Sequence, residues 1–393
     1  MSNKVYPDLS IVILGHVDHG KTTLAKAFTG RWIAKHSEEL KRGLTIKLGY
    51  ANFSIYKCQE HGYTTKDRCP ICGKETDFIR KISLLDVPGH EALLSVMLSG
   101  AAIVDAGILV IAANEPVPQP QTLEHLLIFK LLGDKPLLVV QNKIDLLKKE
   151  EAIENYKKIQ DLLKSVGIKK NIPIIPISAI NEINIEYILE WLATIPSPKR
   201  NIEEKPIFLA SRSFDVNKPG SEIEDLKGGV LGGSVMQGKF KVGDEIEIKP
   251  GLFINNKWVT IKTKIKNLMQ GDERVEEIIP GGTSSIETYL DPFLTKDDTL
   301  SGQIVGLVGD LPDPVDRLTI EYEQIKKDRS LKEGEEILVT VYNIVSRGII
   351  LKKSGNEILV KLSKPLIAKT GNKSVILAKT GSRWSLFGVG EVK

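Results

Sequence analysis

The stretch "LSIVILGHVDHGKTTLAKAFTG", residues 9–30, decides how the first half of the chain reads. It joins a continuous apolar run, 9–15, to a helical pattern, "KTTLAKAF", through a loop with glycine at both ends. Gly15, Gly20, Lys21 and Thr22 fit the spacing G-x-x-x-x-G-K-[ST], in the strand-loop-helix context that gives the motif its meaning. A glycine-rich turn into a helix start aims several backbone N–H groups at one spot, and the helix dipole adds to them, so the loop predicts a phosphate cradle. Lys21 is placed to reach outer phosphates, and the Thr22 hydroxyl to ligate Mg²⁺. The bland alternative is a strand-helix turn that holds nothing.

Further apolar runs extend the pattern. Residues 48–56, 78–87, 106–114, 136–142 and 172–178 read as strands, and several of these runs are near-continuous Val, Ile and Leu, as strands covered on both faces should be. Between the last two, Ile153, Tyr156, Ile159, Leu163 and Val166 recur at helical spacing, with Gly167 placed to end the helix. Alternation of this kind predicts a doubly wound α/β domain.

Short motifs sit at the ends of these runs. Asp86, in "DVPGH", closes one of them and is placed to hold Mg²⁺ through water, while the Gly89 N–H can meet a γ-phosphate. "NKID", 142–145, closes another. The Asp145 carboxylate could accept from the N1–H and N2–H₂ of guanine, and facing adenine it would be left unpaired, which supplies discrimination. Asn142 and Lys143 would steady that loop and cover the base. Ser178, Ala179 and Ile180 at the last strand end could offer N–H groups to guanine O6. Four motifs in this order point to a guanine-nucleotide site. In "KRGLTIKLGYA", 41–51, Thr45 supplies the hydroxyl that would complete a Mg²⁺ shell only while a γ-phosphate is present, although a threonine opening the next strand reads the same way. His90 could orient an attacking water, or it could be a residue of the following helix turned aside.

Between the switch and "DVPGH" lies "CQEHGYTTKDRCPIC", which holds all three cysteines of the chain. Cys58-x₂-His61 and Cys69-x₂-Cys72 offer four N/S ligands, the set a closed tetrahedral Zn²⁺ site requires. Three reduced thiols in a loop, or a site from which His61 turns away, are the alternatives. The neighbouring runs 48–56 and 78–87 look like an antiparallel pair that this knuckle would cap.

After "TIPSPKRNIEEKP" the texture changes. Short alternating strands with glycine-rich turns replace helical periodicity, and about 190 residues of such sequence suits two β-barrels rather than one. "GDLPDPVDRL", 309–318, is the best boundary between them. The expected organisation is 1–203 for the nucleotide domain with its knuckle at 57–73, then barrels at 204–311 and 312–393. The N-terminal "MSNKVYPDLS" has no apolar h-region, and no apolar run reaches the roughly 20 residues of a membrane span, so a cytoplasmic place is expected. A net charge of +4 is too mild to argue nucleic-acid binding by itself but leaves room for a local basic face.

"GHVDHGKT", "RGLTI", "DVPGH", "NKID" and "SAI" together resemble the translational GTPases of the elongation factor Tu type. Longer stretches narrow the resemblance: "KHSEELKRGLTIKLGYA" (35–51), "AANEPVPQPQTLEHL" (112–126), "RSFDVNKPG" (212–220), "KGGVLGGSVMQGKFKVGDEIEIKPG" (227–251) and "TYLDPFLTKDDTLSGQIVG" (288–306) are similar to the gamma subunit of archaeal and eukaryotic initiation factor 2. The resemblance covers nearly the whole chain. It implies a P-loop GTPase domain followed by two β-barrels, a heterotrimer with alpha and beta subunits, and GTP-dependent carriage of methionylated initiator tRNA to the small ribosomal subunit. It also implies slow, partner-stimulated hydrolysis. On this footing Gly15, His16, Val17, Asp18, His19, Gly20, Lys21, Thr22 and Thr23 contact the nucleotide, with Gly89, Asn142, Lys143, Asp145, Ser178, Ala179 and Ile180. Asp18 joins Thr22, Thr45 and Asp86 around Mg²⁺, and Asp18, Lys21, Thr45 and His90 serve hydrolysis. The family commonly uses four cysteines in the knuckle, whereas His61 stands at one of those places here. An elongation-type or selenocysteine-specific tRNA carrier is the alternative within the same class, and a non-hydrolysing nucleotide-binding scaffold lies outside it.

Overall fold

The computed structural model describes the chain except for residues 1–5, 31–48, 87–103, 132, 169–170, 218–219, 221, 223–225, 272, 326–328, 343 and 382. Thr45, Gly89 and His90 lie outside the described residues. Two compact units divide after Lys199.

The first unit is built on a seven-stranded sheet: β1 (Leu9–Leu14), β2 (Gly49–Cys58), β3 (Gly62–Thr64), β4 (Asp77–Asp86), β5 (Ala106–Ala112), β6 (Leu137–Asn142) and β7 (Ile174–Pro176). Their order across the sheet is β3-β2-β4-β1-β5-β6-β7. β4, β1, β5, β6 and β7 run parallel, and β2 pairs antiparallel with β4. The described helices are α1 (Lys21–Thr29), α2 (Pro120–Leu131), α3 (Lys149–Ser165) and α4 (Ile185–Thr194). β1, β5 and β6 are buried at every residue, which is why their sequences run apolar without alternation. Leu9, Ile11 and Ile13 share a core with Leu24 and Phe28 of α1 and with Ile188, Leu189 and Leu192 of α4. The register sets Ile13 beside Asp86, Leu14 beside Leu109 and Ala112 beside Asn142. The parallel strands therefore end together, and the loops carrying the sequence motifs leave from that one edge, where parallel α/β sheets bind ligands.

The apolar stripe of α3 departs from the sequence expectation. Its buried residues are Asn155, Ile159, Leu162 and Leu163, while Ile153 is exposed. The reason is polar: Gln141 Nε2, on buried β6, donates to Asn155 Oδ1 at 2.9 Å and to the Ala152 carbonyl at 2.8 Å, which turns Asn155 inward. Gly167 does stand just past the helix end, in the left-handed region at φ 71°.

The second unit holds two barrels. The first comprises β8 (Ile207–Phe214), β9 (Val230–Gln237), β10 (Phe240–Lys241), β11 (Glu245–Ile254), β12 (Lys257–Gln270), β13 (Glu273–Val275), β14 (Glu277–Ile278), β15 (Ser284–Thr288) and β16 (Gln303–Leu307). The order β11-β16-β8-β9-β15-β12 closes through a β11–β12 pairing. Phe208, Leu231, Phe240, Ile246, Ile248, Ile265, Leu268 and Ile286 fill it. The second barrel closes as β17-β20-β19-β18-β21-β22, with β17 (Val315–Gln324), β18 (Glu336–Val341), β19 (Ile344–Ser354), β20 (Glu357–Leu366), β21 (Lys373–Thr380) and β22 (Arg383–Val392). A P-loop α/β domain followed by two closed six-stranded barrels is thus the architecture. Closure removes the edges of each six-stranded circuit, while β13 and the β10–β14 pair lie outside the first.

Candidate functional site

The loop from Gly15 to Gly20 is fixed from three sides. Gly15 has φ 136°, and a Cβ there would stand 2.3 Å from the Val110 carbonyl oxygen of β5. Gly20 has φ 92°, and a Cβ there would meet the Asn142 amide nitrogen at 2.2 Å. Both glycines are demanded by backbone shape and by neighbours. α1 starts directly after Gly20 with no side-chain cap. Lys21, 7% exposed, donates from Nζ to the His16 carbonyl at 2.6 Å, curling over the loop.

Asn142 joins the motifs. Its Nδ2 donates to the His19 carbonyl at 2.9 Å, and its Oδ1 accepts from the Ala179 N–H at 3.0 Å. One amide therefore ties the 15–20 loop to the 178–180 loop. Lys143 takes the left-handed region at φ 63° and opens a short 3-10 helix, Ile144–Leu146, that presents Asp145 to solvent. Ser178 is fully buried and accepts from Asn181 Nδ2 at 2.9 Å, while Ile180 is exposed. Asp18 is exposed at φ 60°. Asp86 ends β4 at the same sheet edge. The structure thus gathers residues 15–22, 142–145 and 178–180 at one end of the sheet.

The two histidines inside the loop now have partners. His19 is 1% exposed; its Nδ1 donates to the Val110 carbonyl at 3.1 Å, and its ring meets that of His16 edge-on at 5.4 Å. Burial pushes its pKa down to about 4, against the Val110 carbonyl and Glu115, which raise it. The ring is therefore neutral at pH 7. Its Nε2, 3.3 Å from Glu115 Oε2, is buried without a hydrogen bond, and this approach is not a charge pair. Glu115 also lies 3.9 Å from Lys143 Nζ.

Three further contributors escaped the sequence reading. From α2, Gln121 Oε1 accepts from the Val17 N–H at 3.2 Å, and His125 Nδ1 accepts from the Gly15 N–H at 3.1 Å. Burial holds His125 down to about 3, helped by nearby Lys21 and His16. Glu115 is the third. The available signal was Gln121 and His125 standing four apart on one helix, and it did not say what they face.

At the far end of β2 and β4, Cys58, His61, Cys69 and Cys72 converge, with one ligand atom each and all four atoms within 4.8 Å of one another. Cys58 Sγ is 3.7 Å from His61 Nδ1 and 3.8 Å from Cys72 Sγ; Cys69 Sγ is 3.7 Å from His61 Nδ1. That spacing is too long for a disulfide, whose sulfurs stand about 2.05 Å apart. The two halves repeat a design: Gly62 and Gly73, each directly after a second ligand, have φ 79° and 71°. The Cys72 and Ile71 backbone N–H groups aim at Cys69 Sγ and draw its pKa down to about 6. Four ligand atoms that close to this size form a metal centre in shape, and His61 points into it rather than away.

Residues 7–197 match the family model described as the elongation factor Tu GTP binding domain, and residues 314–392 match the one described as initiation factor eIF2 gamma, C terminal. Translation initiation factor 2 subunit gamma of Methanocaldococcus jannaschii is 47% identical over 98% of this chain and 97% of its own length. The chain belongs to the gamma-subunit family of translation initiation factor 2. The gamma subunit of Pyrococcus horikoshii is 46% identical over the same shares. As a member of this gamma family the protein is a translational GTPase. Among solved structures, translation elongation factor SelB of Methanococcus maripaludis, in complex with the GTP analogue GppNHp, superposes on the whole chain with a TM-score of 0.76 at 22% identity over 80% of its own chain. A bacterial selenocysteine-specific elongation factor, EF-Sec, superposes at 0.74 and 26% identity, with 98% of this chain spanning 58% of that one. The likeness to the elongation factors is one of fold; the gamma subunits carry the identity. No described helix is long and apolar enough to cross a membrane.

Proposed function

We propose that this gamma-family GTPase carries methionylated initiator tRNA in its GTP state to the small ribosomal subunit, within a heterotrimer with alpha and beta subunits, and releases it on hydrolysis in the cytoplasm. The observation that carries the reading is the Asn142 amide, which bonds the phosphate loop through His19 and the base loop through Ala179, in a chain aligned end to end with gamma subunits. The proposed organisation is 1–203, 204–311 and 312–393.

Within the site, the N–H groups of 15–23 cradle the phosphates, with Lys21 set against the outer ones. Asp145 reads the guanine edge, Lys143 covers the ring, and Ala179 and Ile180 face O6. Thr22, Asp18, Asp86 and Thr45 are hard oxygen donors of the kind Mg²⁺ takes, and when bound it neutralises charge on the phosphates. Thr45 as the sensor of the γ-phosphate, and Gly89 and His90 as the residues that meet the attacking water, rest on the sequence motifs alone, since all three lie outside the described residues. Phosphoryl transfer asks chiefly for such positioning.

The knuckle residues fit Zn²⁺. Bonds of about 2.3 Å to sulfur and about 2.0–2.1 Å to nitrogen set tetrahedral edges of roughly 3.5–3.8 Å, and the contacts Cys58–His61, Cys69–His61 and Cys58–Cys72 at 3.7, 3.7 and 3.8 Å fall in that range. Four protein ligands leave no open position, so this zinc is structural.

Filter binding of initiator and elongator tRNA, with GTP and with GDP, tests the carrier role. Preference for the initiator in GTP is the expected result. Indifference to the initiator returns the choice to an elongation-type carrier. Absence of GTP turnover with and without ribosomes points to a scaffold.

A further inference from the structure

The phosphate loop is held from behind by α2. Gly15 and Val17 each give their N–H to a side chain of that helix, His125 Nδ1 at 3.1 Å and Gln121 Oε1 at 3.2 Å. Positions 121 and 125 are four apart, so both acceptors stand on one helix face. They are 6% and 2% exposed, so water does not compete for either bond. On the other side, Gly15 is pressed against the Val110 carbonyl of β5. Each bond fixes the plane of one peptide, and with it the direction of the neighbouring N–H and C=O groups. A phosphate cradle works only if those directions are preset, since amides that must reorient lose much of their electrostatic advantage.

We propose that Gln121 and His125 are positioning residues for the nucleotide site, and that α2, through them, sets how fast the guanine nucleotide leaves. The inference rests on the assignment of the 15–22 loop as the phosphate cradle. It makes α2 a handle: a displacement of about an ångström stretches both bonds beyond hydrogen-bond length. Neither residue touches a reacting atom. Their loss acts on nucleotide retention while the chemistry of a bound GTP continues.

The test compares the wild type with Gln121→Ala and His125→Ala, and with the acceptor-retaining Gln121→Glu and His125→Asn. Release of fluorescently labelled GDP is followed by stopped flow against excess unlabelled GDP. KM, single-turnover hydrolysis and the melting midpoint are measured alongside. Each alanine variant is expected to release labelled GDP roughly 10- to 100-fold faster, as loss of a buried hydrogen-bond acceptor implies. KM should rise, the single-turnover rate should hold, and the acceptor-retaining variants should recover most of the retention. Release within twofold of wild type in both alanine variants overturns the proposal. Equal acceleration in the acceptor-retaining variants also overturns it, by showing a packing role. Should His125→Ala not fold, the Gln121→Ala and Gln121→Glu pair decides alone. A wild type that fails to retain labelled GDP overturns instead the cradle assignment beneath it.

Discussion

At the scale of single residues, Asp145 and His61 carry separable commitments. Asp145 is exposed at the start of a short 3-10 helix, held out by Lys143 in the left-handed region. In its proposed role the Asp145 carboxylate accepts twice from guanine, whereas an asparagine would offer one acceptor and one donor. Asp145→Asn is expected to weaken GTP roughly 10- to 100-fold and to favour xanthosine triphosphate, measured by competition binding. Unchanged GTP affinity would remove Asp145 from the base pocket. His61 is the exposed member of its cluster, yet its Nδ1 lies 3.7 Å from two thiol sulfurs. Purified protein is expected to hold one zinc per chain, His61→Ala to lose it to a mild chelator, and His61→Cys to keep it, read by elemental analysis. Retention of zinc by the alanine variant would mean that a ligand from elsewhere completes the shell.

At the scale of elements, polar residues buried among apolar ones explain both what was legible and what was not. β5, "AGILVIA", is buried throughout and reads as a central strand without further help. The antiparallel β2–β4 pair and the knuckle between them follow from spacing alone. The rotation of α3 was hidden because it depends on Gln141, a residue of another element. The roles of Gln121 and His125 were hidden for the same reason: chain spacing gives their helix face but not the loop it meets. Arg80 makes the point most fully. It is 7% exposed on β4 and donates from Nη1 to the Leu192 and Ile195 carbonyls at 2.8 and 2.6 Å, closing the end of α4. From Nη2 it bonds Asp8 Oδ2 at 2.8 Å and Ser197 Oγ at 2.9 Å. Arg80→Ala strips the Leu192 and Ile195 carbonyls of their donor and leaves Asp8 without its cation, though Ser197 Oγ still donates to Asp8 Oδ2 at 2.8 Å; the expected loss is about 3–5 kcal/mol in urea denaturation. Arg80→Lys should recover less than half, for want of the planar fork. A loss under about 1 kcal/mol would show that water replaces the guanidinium.

The same scale fixes a pH dependence. Burial lowers His125 from an ordinary 6.5 to about 3. The folded state therefore prefers the neutral ring, while the unfolded chain takes up a proton below pH 6.5. Stability tied to this group is fully present above 6.5 and falls as pH drops towards 3, by about 1.4 kcal/mol per pH unit at most. Denaturation midpoints measured between pH 7 and 4 should fall more steeply in the wild type than in His125→Asn. Equal slopes would exclude His125 as the source.

At the scale of the whole molecule, one buried ion pair governs the passage between the barrels. Lys249 and Glu247 stand two apart on β11, their charged atoms 3.3 Å apart and their side chains 7% and 4% exposed. Lys249 Nζ donates to the Leu311 carbonyl at 2.9 Å, and Glu247 Oε1 accepts from the Leu311 N–H at 3.2 Å. The pair thus grips both faces of one linker residue just before β17. The sequence points to 309–318 as a boundary but does not show that Leu311 within it is held from both sides. Lys249→Met strands the Glu247 carboxylate and is expected to cost about 3–5 kcal/mol, read as a lowered barrel transition in scanning calorimetry. Replacing both residues by apolar ones should restore much of it. A single variant as stable as wild type would mean that Glu247 takes up a proton without penalty.

The Asn142 bridge has a consequence for how the ligand's two halves are weighed. Because one amide holds both the His19 carbonyl and the Ala179 N–H, the proposed phosphate loop and the proposed base loop share a strut. Ordering either loop lowers the entropic cost of ordering the other. Guanosine and pyrophosphate supplied as separate molecules should each bind better when the other is present, although no bond joins them. The protein reads a guanine nucleotide as one word rather than two syllables.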